Sequence, residues 1–301
     1  MAVFNQPCNS MEKVIKQNNT PENEDWDLII KPRRAWWDLR LEQVWKYRDL
    51  ILLFVWRDFV ATYKQTILGP LWFLIQPLIT TLIYSVIFGN IAALPTDGLP
   101  KFLFYLSGTV IWSYFAECLK KTSNTFAGNA GLFGKVYFPR LTVPVADLIS
   151  SMISFAIQFG LFLVFLTYFS LRGSNVHVTS WALLLPLLVF LMAGLGLGFG
   201  IIVSSLTTKY RDLAHLVGFG VQLWMYATPV ILPVSAIPEQ WRWVMAINPV
   251  TPIVEAFRYA FLGAGSPSWG GLAYTFTFML IVVTIGVLIF NRVESTFIDT
   301  V

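Results

Sequence analysis

The sequence predicts an all-α polytopic membrane protein. It has six transmembrane helices, an N-terminal amphipathic helix at the interface, and two short re-entrant helices between the fifth and sixth spans. Three observations predict it. The 301 residues are 56% hydrophobic and only 13% charged, with mean hydropathy +0.63, whereas soluble domains carry roughly 25% charged residues. Six stretches each hold the ~20 apolar residues that a helix needs to cross about 30 Å of hydrocarbon. The basic residues also alternate in side: 17 of 21 lie before the first stretch, after the second, after the fourth or after the sixth. The other four are Lys101, Arg172, Arg242 and Arg258. By the positive-inside rule both termini are cytoplasmic, and the net charge of +4 reports orientation in a membrane, with no nucleic-acid partner implied.

Taken in order, residues 1–30 are polar, contain NNTPENEDWD and lack the apolar core of a signal peptide, which predicts a flexible cytoplasmic tail. Residues 36–64 read WWDLRLEQVWKYRDLILLFVWRDFVATYK. On a helical wheel, Trp37, Leu41, Val44, Trp45, Leu52, Val55 and Phe59 share one arc. Asp38, Glu42, Lys46, Asp49 and Arg57 share another, and Arg40, Arg48 and Asp58 break the pattern. A basic, Trp-rich helix of this kind lies in the interface plane with its apolar face in lipid.

The six-span region then runs from 66 to 292. Its first span falls inside the uncharged run Gln65–Thr96, and its second starts at Phe102 and passes Trp112 and Glu117. The third runs from Leu148 to Leu171 without a charge, and the fourth from Trp181 to Leu206. Within the fourth, AGLGLGFG puts Gly194 and Gly198 on one helix face and Gly196 and Gly200 on another, which suits close approach of neighbouring helices. The spacing is not that of a dinucleotide fingerprint, and no strand precedes it. The fifth span runs from Leu213 to about Leu232 and the sixth from Leu272 to Asn291.

Between them, residues 232–265 are too apolar for a wet loop and too broken by Pro233, Pro238, Pro249 and Pro252 for one helix. Two short helices near 239–247 and 251–262, dipping into the outer leaflet, satisfy both facts. Broken backbone at that depth survives only beside protein or a water-lined cavity. Glu255 and Arg258 stand at i, i+3 on the second helix and are placed to pair. Near the span ends, Glu117 is placed to meet Lys120 or Lys121, and Asp147 to meet Arg140 or a helix end, since unpaired charges there are costly.

The loop GNAGLFGKVYFPR, residues 128–140, resembles a phosphate-binding loop only superficially. That motif needs GxxxxGK followed by Ser or Thr, whereas five residues separate Gly128 from Gly134 and Val136 follows Lys135. The chain therefore carries no nucleotide-hydrolysing site. A docking element over 128–142 fits better: Leu132, Val136, Tyr137 and Phe138 offer apolar contacts, Lys135 and Arg140 offer charge, and Pro139 and Pro144 stop the helix. TTKYRDLAHL supplies a second contact. Cys8 and Cys118 make neither a disulfide framework nor a zinc site. His177 and His215 fall on opposite sides, so no catalytic or metal constellation is expected.

Three stretches carry a family resemblance: NAGLFGKVYFPRLTVP (129–144), GLGLGFGIIVSSLTTKYRDLAHLV (194–217) and YATPVILPVSAIPEQWRWVMAINPVTPIVEAFRYAFLG (226–263). The chain resembles the permease subunits of ABC transporters that export cell-surface polysaccharides: O-antigen, capsule and teichoic-acid-type polymers (the Wzm- and TagG-like group). Asn129, Lys135, Phe138, Pro139 and Arg140 fill the positions of the family's first motif. Tyr210, Arg211 and Asp212, with Leu213, fill its YRDL, and Thr142-Val143 departs from the bulkier aliphatic pair usual there. The resemblance implies a homodimer docked on two copies of a separate ATP-binding subunit, with ATP and Mg on that partner and no cofactor on this chain. It also implies a lipid-linked polysaccharide substrate, on an undecaprenyl-type carrier, and a bacterial cytoplasmic (inner) membrane location. The outer mouth would be gated by the 239–262 region, with Trp241, Trp243, Asn248, Pro249, Glu255 and Arg258.

Aromatic residues make up 16% of the chain, and Trp112, Tyr114, Phe115, Trp224 and Tyr226 are candidates to line a channel, because sugar C–H faces stack weakly on rings. Tyr and Trp also form interfacial belts, so membership of this set stays open. A permease for a smaller lipid or drug shares the same machinery. An ion-coupled secondary transporter would show inverted repeats and mid-depth carboxylates, and neither is evident in the sequence.

Overall fold

The computed structural model describes residues 41–64, 68–133, 135–136, 138–208, 210 and 212–297. The predicted tail, Trp37, Tyr137 and Arg211 lie outside the described residues. Among the described residues there is no strand. The chain opens with α1 (Leu41–Lys46) and α2 (Arg48–Tyr63). A 3₁₀ turn leads into α3 (Trp72–Tyr84), which continues as a wider π-helical segment over Ser85–Ile91. Then come α4 (Lys101–Ser123), α5 (Thr125–Phe133), α6 (Thr142–Leu171) and α7 (Leu185–Thr207, entered through a 3₁₀ turn at Ser180–Leu184). The last four are α8 (Leu213–Tyr226), α9 (Arg242–Ile247), α10 (Thr251–Leu262) and α11 (Trp269–Phe297).

Five helices among the described residues are long and apolar enough to cross a bilayer: Trp72–Ile91, Lys101–Ser123, Thr142–Leu171, Ser180–Thr207 and Trp269–Val293. The sequence predicts six, and the fifth, from Leu213 to about Leu232, is not among these five because only its first part is helical. α8 has 14 residues, about 21 Å at 1.5 Å per residue, and leaves the helical path after Tyr226. The cause is local. Pro229 disfavours helical backbone at Thr228, and the carbonyls freed by the break find side-chain donors. Asn248 Nδ2 donates to Ala227 O at 2.7 Å and Arg258 Nη2 to Val230 O at 2.8 Å. An interrupted helix at membrane depth needs such partners. The two short helices that follow fall where the proline spacing predicts them, as a 3₁₀ turn plus α9 and as α10.

The molecule is organised around α7, which packs between α4 and α11. The four alternating glycines serve two different neighbours. A Cβ at Gly196 would lie 2.6 Å from Cys118 Cβ, and one at Gly200 would lie 2.6 Å from Thr122 Cβ, both on α4. A Cβ at Gly194 would overlap Met279, and one at Gly198 would sit 2.9 Å from Val282 Cγ1 and 3.0 Å from Val283 N, both on α11. Residue numbers rise together in both pairs, so the three helices run parallel. α6 runs antiparallel to α4, with Phe102 against Phe165 and Tyr114 against Phe155.

The N-terminal helix differs from its predicted wheel. It breaks at Tyr47 into α1 and α2, and its apolar residues divide between two faces. Val44, Ile51, Phe54 and Val55 are buried against Phe138, Val143 and Ala146. Trp45, Leu52, Leu53 and Trp56 are exposed, as is Arg48. One face grips the start of α6 and the other is exposed.

Candidate transport pathway and its two ends

A cavity of about 410 Å³ opens between α3, α4, α6 and α8. On α4 its lining climbs from Lys121 and Lys120 through Glu117 and Ser113 to Thr109, a rise of about 18 Å along the helix. On α3 it climbs equally far, from Trp72 past Gln76 and Thr80 to Tyr84. Gln158 of α6 and Gln222 of α8 complete the wall. At the lower end Lys121 Nζ pairs with Glu117 Oε1 at 2.7 Å and donates to Ser150 Oγ at 3.2 Å, while Ser154 Oγ donates to the same carboxylate oxygen at 3.1 Å. The expected pairing of Glu117 is therefore with Lys121. At the upper end Tyr84 donates to Met225 Sδ at 3.6 Å and meets the ring of Tyr105.

The aromatic candidates are distributed unevenly. Trp112 lines the cavity. Tyr114 is buried against Phe155, and Phe115 is fully buried between Trp112 and Trp224. Trp224 packs edge-on to Phe199 at 5.0 Å, and Tyr226 is exposed on α8. Composition pointed to rings, but the uncharged polar residues of the wall, chiefly Gln76, Gln158 and Gln222, carry no motif. Their signal was an amide inside a span with no charge, where a polar group needs a partner or water.

Above the cavity two buried polar residues knit the broken segment together. Asn248 uses both ends of its amide. Its Oδ1 accepts from Trp224 Nε1 at 3.2 Å and from the Val250 N–H at 3.0 Å, and its Nδ2 donates to Ala227 O and Thr228 Oγ1. Pro249 O accepts from Thr275 Oγ1 of α11 at 2.8 Å. Arg258, 2% exposed, lies with its guanidinium carbon 3.8 Å from the centroid of the Phe104 ring and its Nη1 4.0 Å from Glu255 Oε1. Glu255 Oε2 in turn accepts the Ser266 N–H at 3.1 Å. Trp241 and Trp243 are exposed.

At the opposite end, α5 is kinked at Asn129 (φ −118°, ψ 15°), whose Nδ2 donates back to Thr125 O at 3.0 Å. The Phe126 ring stacks on Phe290 at 4.6 Å, and its N–H donates to Ser204 Oγ at 3.2 Å, fixing α5 to α7 and α11. Phe138 is buried between Phe54 and Phe133, and Arg140 is buried over the Phe133 ring. Leu132 and Pro139 are half-buried. Lys135, Val136, Tyr210 and Asp212 are exposed. The loop thus has a buried root and an exposed tip.

Residues 49–262 match the family described as ABC-2 type transporter. The chain is similar to the O-antigen export system permease protein RfbA of Klebsiella pneumoniae, 27% identical over 253 residues that cover 83% of this chain and 94% of that one. It is also similar to the RfbA protein of Myxococcus xanthus, 25% identical over 224 residues, 73% of this chain and 83% of that one. The polysialic acid transport protein KpsM of Escherichia coli is 25% identical over 250 residues, covering 81% and 93% of the two chains.

Proposed function

The chain belongs to the ABC-2 type transporter family, and from that premise we propose that it is the permease subunit of an ATP-driven exporter of a lipid-linked, O-antigen-like polysaccharide. In this reading two copies of the chain and two copies of a separate ATP-binding subunit sit in a bacterial cytoplasmic membrane, with both termini cytoplasmic. ATP and Mg bind the partner alone. The observation that carries the reading is the cavity wall, which alternates amides and hydroxyls with the rings of Trp72, Tyr84 and Trp112. Amides facing lipid would be costly, whereas against a hydroxyl-rich chain with apolar C–H faces both kinds of group are used. Weak repeated contacts of this sort let a polymer slide. The plug around Asn248 and Arg258 closes the outer mouth, and α9 and α10 dip into the outer leaflet.

Lys135 and Val136 touch the ATP-binding subunit, and Phe138 and Arg140 hold the loop that presents them. The two roles separate experimentally. Val136→Asp is expected to abolish co-purification of the ATP-binding subunit and leave thermal unfolding unchanged. Phe138→Ala is expected to destabilise the fold itself, by about 3–5 kcal/mol for a buried phenylalanine. Co-purification that survives Val136→Asp undiminished would remove the docking assignment. The functional reading is tested by ATP turnover. The purified chain alone should show none, and the complex should be stimulated by lipid-linked glycan. Hydrolysis by the isolated chain contradicts the reading.

A further inference from the structure

We propose that the interior of the cavity is a subsite for uncharged sugar units, and that Gln158 is the side chain that hydrogen-bonds their hydroxyls. The proposal rests on the export reading above and narrows it to a chemical class of polymer.

The cavity is electrostatically divided. The charged groups that line it, Glu117, Lys120 and Lys121, all stand at its lower end. There Lys121 and Glu117 neutralise one another, and Lys120 is exposed, where water screens it. From Ser113 upwards the lining offers amides, hydroxyls and rings without a formal charge. A carboxylate carried into that region would lose its hydration and meet no cation, which is strongly unfavourable in a low-dielectric setting. A neutral hydroxyl loses much less and finds partners.

Gln158 is the group that shows where those partners are used. It lies on the middle of α6, is 7% exposed and lines the cavity. Its Oε1 has no hydrogen-bond partner among the described residues. Buried polar atoms are nearly always satisfied, so an amide oxygen that is orphaned and turned away from the cavity its own residue lines calls for a physical reason. A half-turn of the amide toward a ligand would remove the defect, and a sugar hydroxyl is such a ligand. Rotation of the amide by half a turn exchanges its donor and acceptor ends, so successive hydroxyls of either orientation are served as the chain advances. The Trp112 ring, on the same wall, covers the apolar face of the sugar.

Two measurements test this. The first is the composition of the glycan missing from the surface of a strain lacking this chain. A repeat built of neutral and N-acetylated hexoses is expected, and a repeat carrying uronic or sialic acid would overturn the proposal while leaving polysaccharide export intact. If no surface glycan is lost, the export reading fails and the subsite fails with it. The second follows tryptophan fluorescence of the assembled transporter in nanodiscs, titrated with a neutral mannose oligosaccharide and with an oligosialic acid of equal length. The neutral chain should bind and the acidic one should not. Gln158→Met should weaken neutral binding about tenfold, the loss expected for one hydrogen bond. Equal binding of the acidic chain, or unchanged affinity in a Gln158→Met protein that elutes like the wild type, overturns it. Should that variant fail to fold, the wild-type comparison and the glycan composition still decide.

Discussion

Replacing Arg258 with methionine is expected to cost about 3–5 kcal/mol of stability, the range for breaking a buried ion pair by removing one partner. Three losses combine. The Val230 carbonyl, freed by the break after α8, loses its donor at 2.8 Å. Glu255, itself buried, keeps a charge whose partner stood 4.0 Å away. The Phe104 ring loses a guanidinium stacked at 3.8 Å. The double variant Arg258→Met, Glu255→Gln should recover part of the loss, because it removes the uncompensated charge. Thermal unfolding of the purified protein, followed by size-exclusion recovery after heating, reads both. A single variant as stable as the wild type would mean that the plug is held by packing alone.

The second large effect is expected at Gly198. A Cβ there meets backbone of α11, with Val283 N at 3.0 Å and the Val282 carbonyl carbon at 3.1 Å. Reciprocally, a Cβ at Gly286 would meet Gly198 O at 2.9 Å. Backbone cannot rotate aside as a side chain can, so Gly198→Ala should cost about 1–3 kcal/mol, as overpacked sites do. Gly160 on α6 is the control. A methyl group added there would have nothing within 4 Å, so Gly160→Ala should be neutral or gain up to about 1 kcal/mol from helix propensity. Melting temperatures that move together in the two variants would separate the glycine pattern from helix packing.

These two cases also mark what could be read from the amino acids alone. The i, i+4 spacing of the glycines follows directly from helix geometry, so their two faces, though not the identity of α4 and α11, were legible. The break after Tyr226 was hidden by an apolar run continuing to Leu232 with no charge to interrupt it. Pro229 and Pro233 were the available signal. The split face of α2 was not legible, because the wheel puts Leu52 and Val55 on one arc and only packing buries Val55 while leaving Leu52 exposed. Its buried stripe of Ile51, Phe54 and Val55 is defined by Phe138, a residue far along the chain. For the same reason Phe138 and Arg140 read as presented groups when they are anchoring ones. Gln158 is not legible in the sequence, because a lone amide belongs to no motif and acquires meaning only from the cavity it lines.

In the proposed function three parts of the molecule would act together: an exposed loop tip that receives force, a wall of amides and rings that tolerates a moving glycan, and a hydrogen-bonded plug above it. The central claim is that this chain conducts polysaccharide and takes its energy from another. The most direct test is transport in proteoliposomes containing the chain together with its ATP-binding partner. Lipid-linked polysaccharide should become accessible to a glycosidase on the far side when ATP is supplied, and should stay protected when the partner or ATP is omitted. Polymer that crosses without the ATP-binding subunit, or that never crosses with both proteins and ATP present, would contradict it.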